Sequence, residues 1–153
     1  MKTAYCFCKD LIKSVSLYGP LQDFCSYKFG KQPVFYFQAD EYNPPSKDDM
    51  PFVVFYNTTA NDEEPTTVER ALTIGSAIQD EVIDTENDFI KLMYEGYKTI
   101  EIFDRHVLDA VKAFMETRIS LGDSILGTNS LLIKGFYPQF HGVRTLQIVS
   151  QRE

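Results

Sequence analysis

The run Ile100-Glu101-Ile102-Phe103-Asp104-Arg105-His106-Val107-Leu108-Asp109-Ala110-Val111-Lys112-Ala113-Phe114-Met115 decides the fold. Ile100, Phe103, Val107, Leu108, Val111, Phe114 and Met115 recur at helical spacing, and Ile119 continues the stripe. Glu101, Arg105, Asp109, Lys112 and Glu116 lie largely outside it. That periodicity specifies an amphipathic α-helix with one face reserved for a core. The expected span is Thr99 to Ser120, with the Thr99 hydroxyl as N-cap and Gly122 as the stop.

Such a helix needs an apolar surface to cover, and the sequence on both sides supplies strands. Upstream, Pro33-Val34-Phe35-Tyr36-Phe37 is aromatic and β-branched, and Pro51-Phe52-Val53-Val54-Phe55-Tyr56 is nearly continuous in apolar residues. The second run predicts a central strand covered on both faces. Asn57-Thr58-Thr59 has the form of a glycosylation sequon and is read as a polar turn closing that strand. Between Thr67 and Asp80, Val68, Leu72, Ile74 and Ile78 share one alternation phase, which predicts a long third strand. Gly75-Ser76 breaks the apolar pattern, the signature of a bulge or a bend. Downstream, Ser130–Tyr137 and Val143–Ser150 read as two strands joined by Pro138-Gln139-Phe140-His141-Gly142.

At the start of the chain, Ala4, Phe7, Cys8, Leu11, Ile12 and Val15 mark one face of a helix that Gly19-Pro20 ends. Leu21 to Gly30 reads as a short turn of helix. Glu81–Lys98, with Phe89-Ile90-Lys91-Leu92-Met93-Tyr94 at its centre, is too long for a turn and too apolar for a disordered tail, so it is read as an ordered excursion. The order is α-β-β-β-α-β-β in one domain over residues 1–153. The expected class is α+β: a largely antiparallel sheet carrying the N-terminal helix and the long amphipathic helix.

A chain of 153 residues with 44% hydrophobic side chains buries roughly 68–70% of its unfolded surface at this size, enough for a core without staples. Fifteen Lys and Arg against 22 Asp and Glu leave a charge of −7, the wrong sign for tracking phosphate by counterion release. The cysteines Cys6, Cys8 and Cys25 are odd in number and suit a reducing compartment. No apolar run approaches the roughly 20 residues of a membrane span, and none near the start is long enough for a signal peptide, so a soluble protein is expected.

Chemical motifs are few. Gly122-Asp123-Ser124 has the form of a serine-esterase triplet, but too little chain follows it to supply a partner histidine in that family's arrangement, and it reads as a helix stop and turn. His106 reads as a partly exposed helix residue, and His141 as a contact residue at a protruding hairpin tip. Cys6 and Cys8 diverge by about 200° around a helix, against a shared metal. The acidic loops, Asp40-Glu41, Asp48-Asp49, Asp62-Glu63-Glu64 and Asp80 to Asp88, lack EF-hand spacing and read as solvated. No catalytic residue, metal site or cofactor is assigned. Aromatic content of 14% instead favours packed protein interfaces over turnover.

Two stretches carry a family resemblance: Pro44-Pro45-Ser46-Lys47-Asp48-Asp49-Met50-Pro51-Phe52-Val53-Val54 and Gly135-Phe136-Tyr137-Pro138-Gln139-Phe140-His141-Gly142-Val143-Arg144-Thr145-Leu146-Gln147-Ile148. With the order of elements from Val34 to Val149, they resemble the tail terminator, or tail completion, proteins of long-tailed bacteriophages. The Glu81–Lys98 excursion is longer than in that pattern. The resemblance implies a virion protein of the tail and neck, assembled in the host cytoplasm. It implies a homo-oligomeric ring, commonly a hexamer, that caps the tail tube protein, ends tube growth and meets the head connector. DNA would pass without specific binding, and no membrane is involved. Head-to-tail contacts need two different patches per subunit. The interface candidates are Asp48 and Asp49, the excursion at Phe89, Leu92 and Tyr94, and Phe140 and His141. The alternatives are a small acidic protein-binding or inhibitor module, a tail tube subunit or a head-completion protein.

Overall fold

The strand Thr67–Gln79 (β3) is the spine of the molecule. It pairs antiparallel along its full length with Gln139–Gln151 (β6) on one side and, from Glu69 to Ala77, with Phe52–Asn61 (β2) on the other. The computed structural model describes residues 4–39, 42–61, 67–85, 89–90 and 92–151. Val34–Phe37 (β1) adds to β2 in parallel, and two short strands, Ser124–Thr128 (β4) and Leu132–Phe136 (β5), lie end to end along the other edge of β6. The result is a mixed, largely antiparallel sheet of six strands.

All helices pack on one face. Ala4–Ser16 (α1), Gly19–Phe29 (α2) and Gly96–Glu116 (α3) close over Val53, Phe55, Leu72, Ile74, Ile78, Leu146 and Ile148. From α3 come Ile100, Phe103, Val107, Ala110, Val111, Phe114 and Met115, the stripe expected from the sequence except that Leu108 is only partly buried and Ile119, past the end of the helix, is exposed. From α1 come Phe7, Cys8, Leu11 and Val15. The α+β class therefore follows from the two periodicities, 3.6 for the helices and 2 for the strands.

Among the described residues the other face of the sheet carries no α-helix. Its β1–β2 end is closed by a small cluster of Met50, Phe52, Val54 and Ala77 with Tyr36 and Ala39. This accounts for the apolar run in β2: Val53 and Phe55 enter the main core, and Phe52 and Val54 enter the small one.

Several boundaries differ from the sequence reading. β2 continues to Asn61, so Asn57 is a buried strand residue rather than a turn; its amide is held by the Gln38 side chain at 2.9 Å. Gly75-Ser76 is neither bulge nor bend: Gly75 pairs in register with Val54 and Val143, and the irregularity lies at Thr59–Asn61. α2 is a full helix. α3 begins at Gly96, one turn early, so Thr99 is inside it and caps nothing. It ends at Glu116, and Gly122, at φ 85°, instead terminates the 3-10 turn Ile119–Leu121.

β4 is an additional strand in what reads as a turn. Its start is fixed by Asp123, which is buried and paired with Arg118 at 2.5 Å, the guanidinium lying over the Phe7 and Phe114 rings. The β5–β6 connection is Tyr137-Pro138 alone, not five residues, because Gln139 to Gly142 already pair with β3 and β5.

Candidate functional site

Residues 81–85, 89–90 and 92–95 form a strap between β3 and α3. Its root is a charged cluster. Burial alone would raise Asp80, but its carboxylate accepts from the Thr99 hydroxyl at 2.6 Å and the Val82 amide at 2.9 Å and pairs with Lys28 at 3.3 Å. Together these hold Asp80 below the usual carboxylate range. Lys28 also reaches Glu95 at 3.3 Å. Although burial works against its charge, the two carboxylates raise its affinity for the proton. A turn of α2, the end of β3 and the start of α3 are thereby tied at one point.

Above this root the strap closes on itself. The Asp84 amide donates to the Met93 carbonyl at 2.7 Å, the Glu95 amide to the Val82 carbonyl at 3.1 Å, and Ile83 bridges to Tyr94. Tyr94 stacks on Tyr137 with centroids 4.5 Å apart, and the Tyr137 hydroxyl donates to the Glu81 carbonyl at 2.8 Å. A cavity of about 400 Å³ lies between the strap and the start of α3, lined by Val82, Ile83, Met93, Tyr94 and Tyr97.

Several apolar side chains among the described residues of the strap are open to solvent, some of them along the cavity. Phe89 is 99% exposed, and Val82, Ile83, Ile90, Leu92 and Met93 are each between 40% and 53% exposed. Nearby, Tyr97, Phe136 and Tyr137 are also open to solvent. A concentration of large apolar side chains of this kind marks an interaction surface more often than a solvated one. Of the three candidates on the strap, Phe89 and Leu92 are exposed. Tyr94 is half-buried and belongs to the strap's footing.

Phe140 is a correction. It is fully buried, with the Tyr94 and Tyr97 rings at 6.2 and 5.0 Å, and a Cβ on Gly96 would overlap its ring. It faces the core because the hairpin turns at Tyr137-Pro138 and Phe140 shares the β6 phase of Leu146 and Ile148. His141 consequently sits on the helix-free face, paired in register with Ala77 and Lys134, and not at a tip. Burial and then the charge of Lys134 lower its pKa, favouring the neutral ring.

The 40–50 loop also divides. Ser46 caps the short turn Lys47–Asp49 through the Asp48 amide at 3.2 Å. Asp48 is exposed, whereas the Asp49 carboxylate accepts from the Tyr36 hydroxyl and pins the loop over the small cluster. Asp49 is thus a positioning group for the loop. Asp40-Glu41, Asp62-Glu63-Glu64, Glu86 and Asp88 lie outside the described residues.

The remaining chemical candidates are accounted for by packing. His106 lies against Phe24 at 5.1 Å. Cys8 and Cys25 are buried thiols pushed up to about 11 and about 12 by burial, so they stay protonated, while Cys6 faces outward. Among the described residues no group of three or more His, Cys, Asp or Glu could hold a metal ion, and no helix is long and apolar enough to cross a membrane.

A second feature has no precursor in the sequence reading. Beside β5 a groove of about 230 Å³ is lined by Leu108, Leu131 and Ile133 with Arg105 and Arg144. Asp104, buried in α3, accepts from Arg144 at 2.8 and 3.1 Å, and Arg144 also donates to the Asn129 carbonyl at 2.8 Å. No protein-family model matches the chain, and no curated protein matches it in sequence.

Proposed function

We propose that the chain is a non-catalytic structural component of the tail and neck of a long-tailed bacteriophage, of the tail-terminator kind. In this reading subunits close into a ring, a hexamer, which caps the tail tube, ends its growth and offers a surface to the head connector. It needs no cofactor, and it belongs to the virion after assembly in the host cytoplasm. The observation that carries the reading is the strap, which spends Phe89, Ile90, Leu92 and Met93 on solvent in a chain with ample core to hold them. That exposure is costly for a single copy: Phe89 forgoes roughly 1.5–3 kcal/mol of burial, and the half-exposed Ile90, Leu92 and Met93 about half of that each. The order of elements and the two stretches quoted above supply the direction toward tail terminators. The charge of −7 supports passage of DNA without retention, because the ring would repel phosphate.

Negative-stain images of purified tail tubes mixed with the protein test this function. Tube ends capped by a single ring, with no further growth when tube subunits are added, are expected. Tubes that keep growing at undecorated ends would remove the terminator reading, and filaments of the protein alone would favour a tube subunit.

A further inference from the structure

We infer that the helix-free side of the sheet is a two-fold interface with a second copy of this chain, centred on Thr145. Beyond the small cluster that side is uncovered, although large apolar or aromatic side chains stand on it: Tyr56 on β2, Val143 on β6 and Leu132 on β5 are all exposed. Between Tyr56 and Val143, β3 contributes Ala71, Thr73 and Gly75, so ridges flank a shallow trough on one and the same surface. A surface with both kinds of relief can receive a copy of itself.

The charge pattern selects that occupant. Among the described strand residues that point to this side, the charged ones are Glu69 and Lys134, and neither enters an ion pair among the described residues. Thr145 lies midway between them: Glu69 on β3 is level with Val149, four residues one way along β6, and Lys134 on β5 is level with His141, four residues the other way. A two-fold axis through Thr145, in the plane between two packed sheets, therefore brings Glu69 of each copy to Lys134 of the other. The strands of the two copies then cross at a few tens of degrees, as twisted sheets packed face to face do. His141, whose ring is held neutral by burial and by Lys134, is the other titratable group on this side. The rest of the contact is uncharged, so two chains that each carry −7 meet here without like charges opposed. Between the levels of Glu69 and His141 and across four strands, the side measures roughly 26 Å by 19 Å. Two copies thus cover about 1,000 Å² before side-chain relief is counted, the size at which a specific contact begins. The pairing uses none of the strap's exposed side chains and stands apart from the ring reading.

The test is sedimentation velocity over a range of concentrations on the full chain and on Thr145→Lys, Glu69→Lys, Lys134→Glu and the double exchange, with thermal melts to confirm folding. The wild type is expected to pair. Thr145→Lys sets two cations face to face on the axis and is expected to raise the dissociation constant at least about tenfold. Should that variant not fold, Leu132→Asp, at an exposed position on the same side, takes its place with the same expectation. Glu69→Lys and Lys134→Glu are each expected to weaken pairing about two- to fivefold. The double exchange is expected to restore it, because opposite charges again meet across the axis. A wild type that stays a single copy at every concentration, pairing untouched by the axial charge, or a double exchange as weak as its two parents would each overturn the inference. Pairs without rings would keep it and remove the ring reading, and rings unaffected by Thr145→Lys would do the reverse.

Discussion

The two ends of α3 show opposite uses of the same kind of residue. Along its length Phe103, Val107, Val111 and Phe114 are sealed against α1 and the sheet. At its entry the strap presents Phe89, Ile90, Leu92 and Met93 outward. Both regions are rich in large apolar side chains, and hydrophobicity alone cannot separate them. What separates them is anchorage. The core stripe has a sheet beneath it, whereas the strap is anchored at its root, by the Lys28–Asp80–Glu95–Thr99 cluster and the Tyr94–Tyr137 stack. The chain thus builds a rigid footing and then extends an apolar surface from it, an arrangement suited to a partner that arrives later.

The largest expected effect lies where the two regions meet. Phe140→Ala empties a fully buried site between strap root and core and is expected to cost about 3–5 kcal/mol in chemical denaturation. A loss under about 1 kcal/mol would show that Phe140 is the surface residue its place in the sequence suggests.

Asp80→Ala removes the hub of the root. It leaves Lys28 half-served and the Thr99 hydroxyl with only its longer contact to the Glu95 carbonyl at 3.3 Å, and a loss of about 2 kcal/mol is expected. Hydrogen exchange at the Asp84 and Glu95 amides should accelerate more than in the centre of β3; uniform acceleration would mean the strap has no separate footing.

Acid should act in the same direction. Asp80 has a lowered pKa, so its stabilisation is complete above the unfolded carboxylate value and is lost as pH falls through the folded one. His141 is likewise lowered, so below about pH 6.5 the unfolded chain takes up a proton that the folded chain resists. Stability is therefore expected to decline from about pH 6.5 downward, with His141→Gln flattening the upper part of the decline. A stability that rises between pH 7 and 5 would contradict both assignments.

The smallest effect on folding is expected where the effect on assembly is largest. Leu92→Asp should change stability by no more than about 0.5 kcal/mol. A larger loss would make the strap part of the core and erase the distinction between the two regions.

Much of this was legible in the sequence because period reports burial directly. The α3 stripe, the long alternation of β3 and the doubly apolar β2 each followed from spacing alone. What escaped was set by contacts between distant residues. Nothing local in Asp123-Ser124-Ile125 signals a strand; β4 forms because β6 offers an edge and Arg118 holds Asp123. Thr99 has the chemistry of an N-cap, yet Asp80, far away in sequence, takes its hydroxyl, and the helix starts earlier. Phe140 and His141 were assigned together, but the shorter turn places them on opposite faces of β6. The apolar content of the strap was legible in the sequence, whereas the groove beside β5 was not, because Leu108, Leu131 and Arg144 come from three separate elements.

The central claim is that the open apolar end is an assembly surface. The most direct test is native mass across concentration, with negative-stain images of the same samples. The account predicts closed rings of one size with a central hole that grow in abundance with concentration. A single copy at every concentration, which also leaves added tail tubes uncapped, would contradict it.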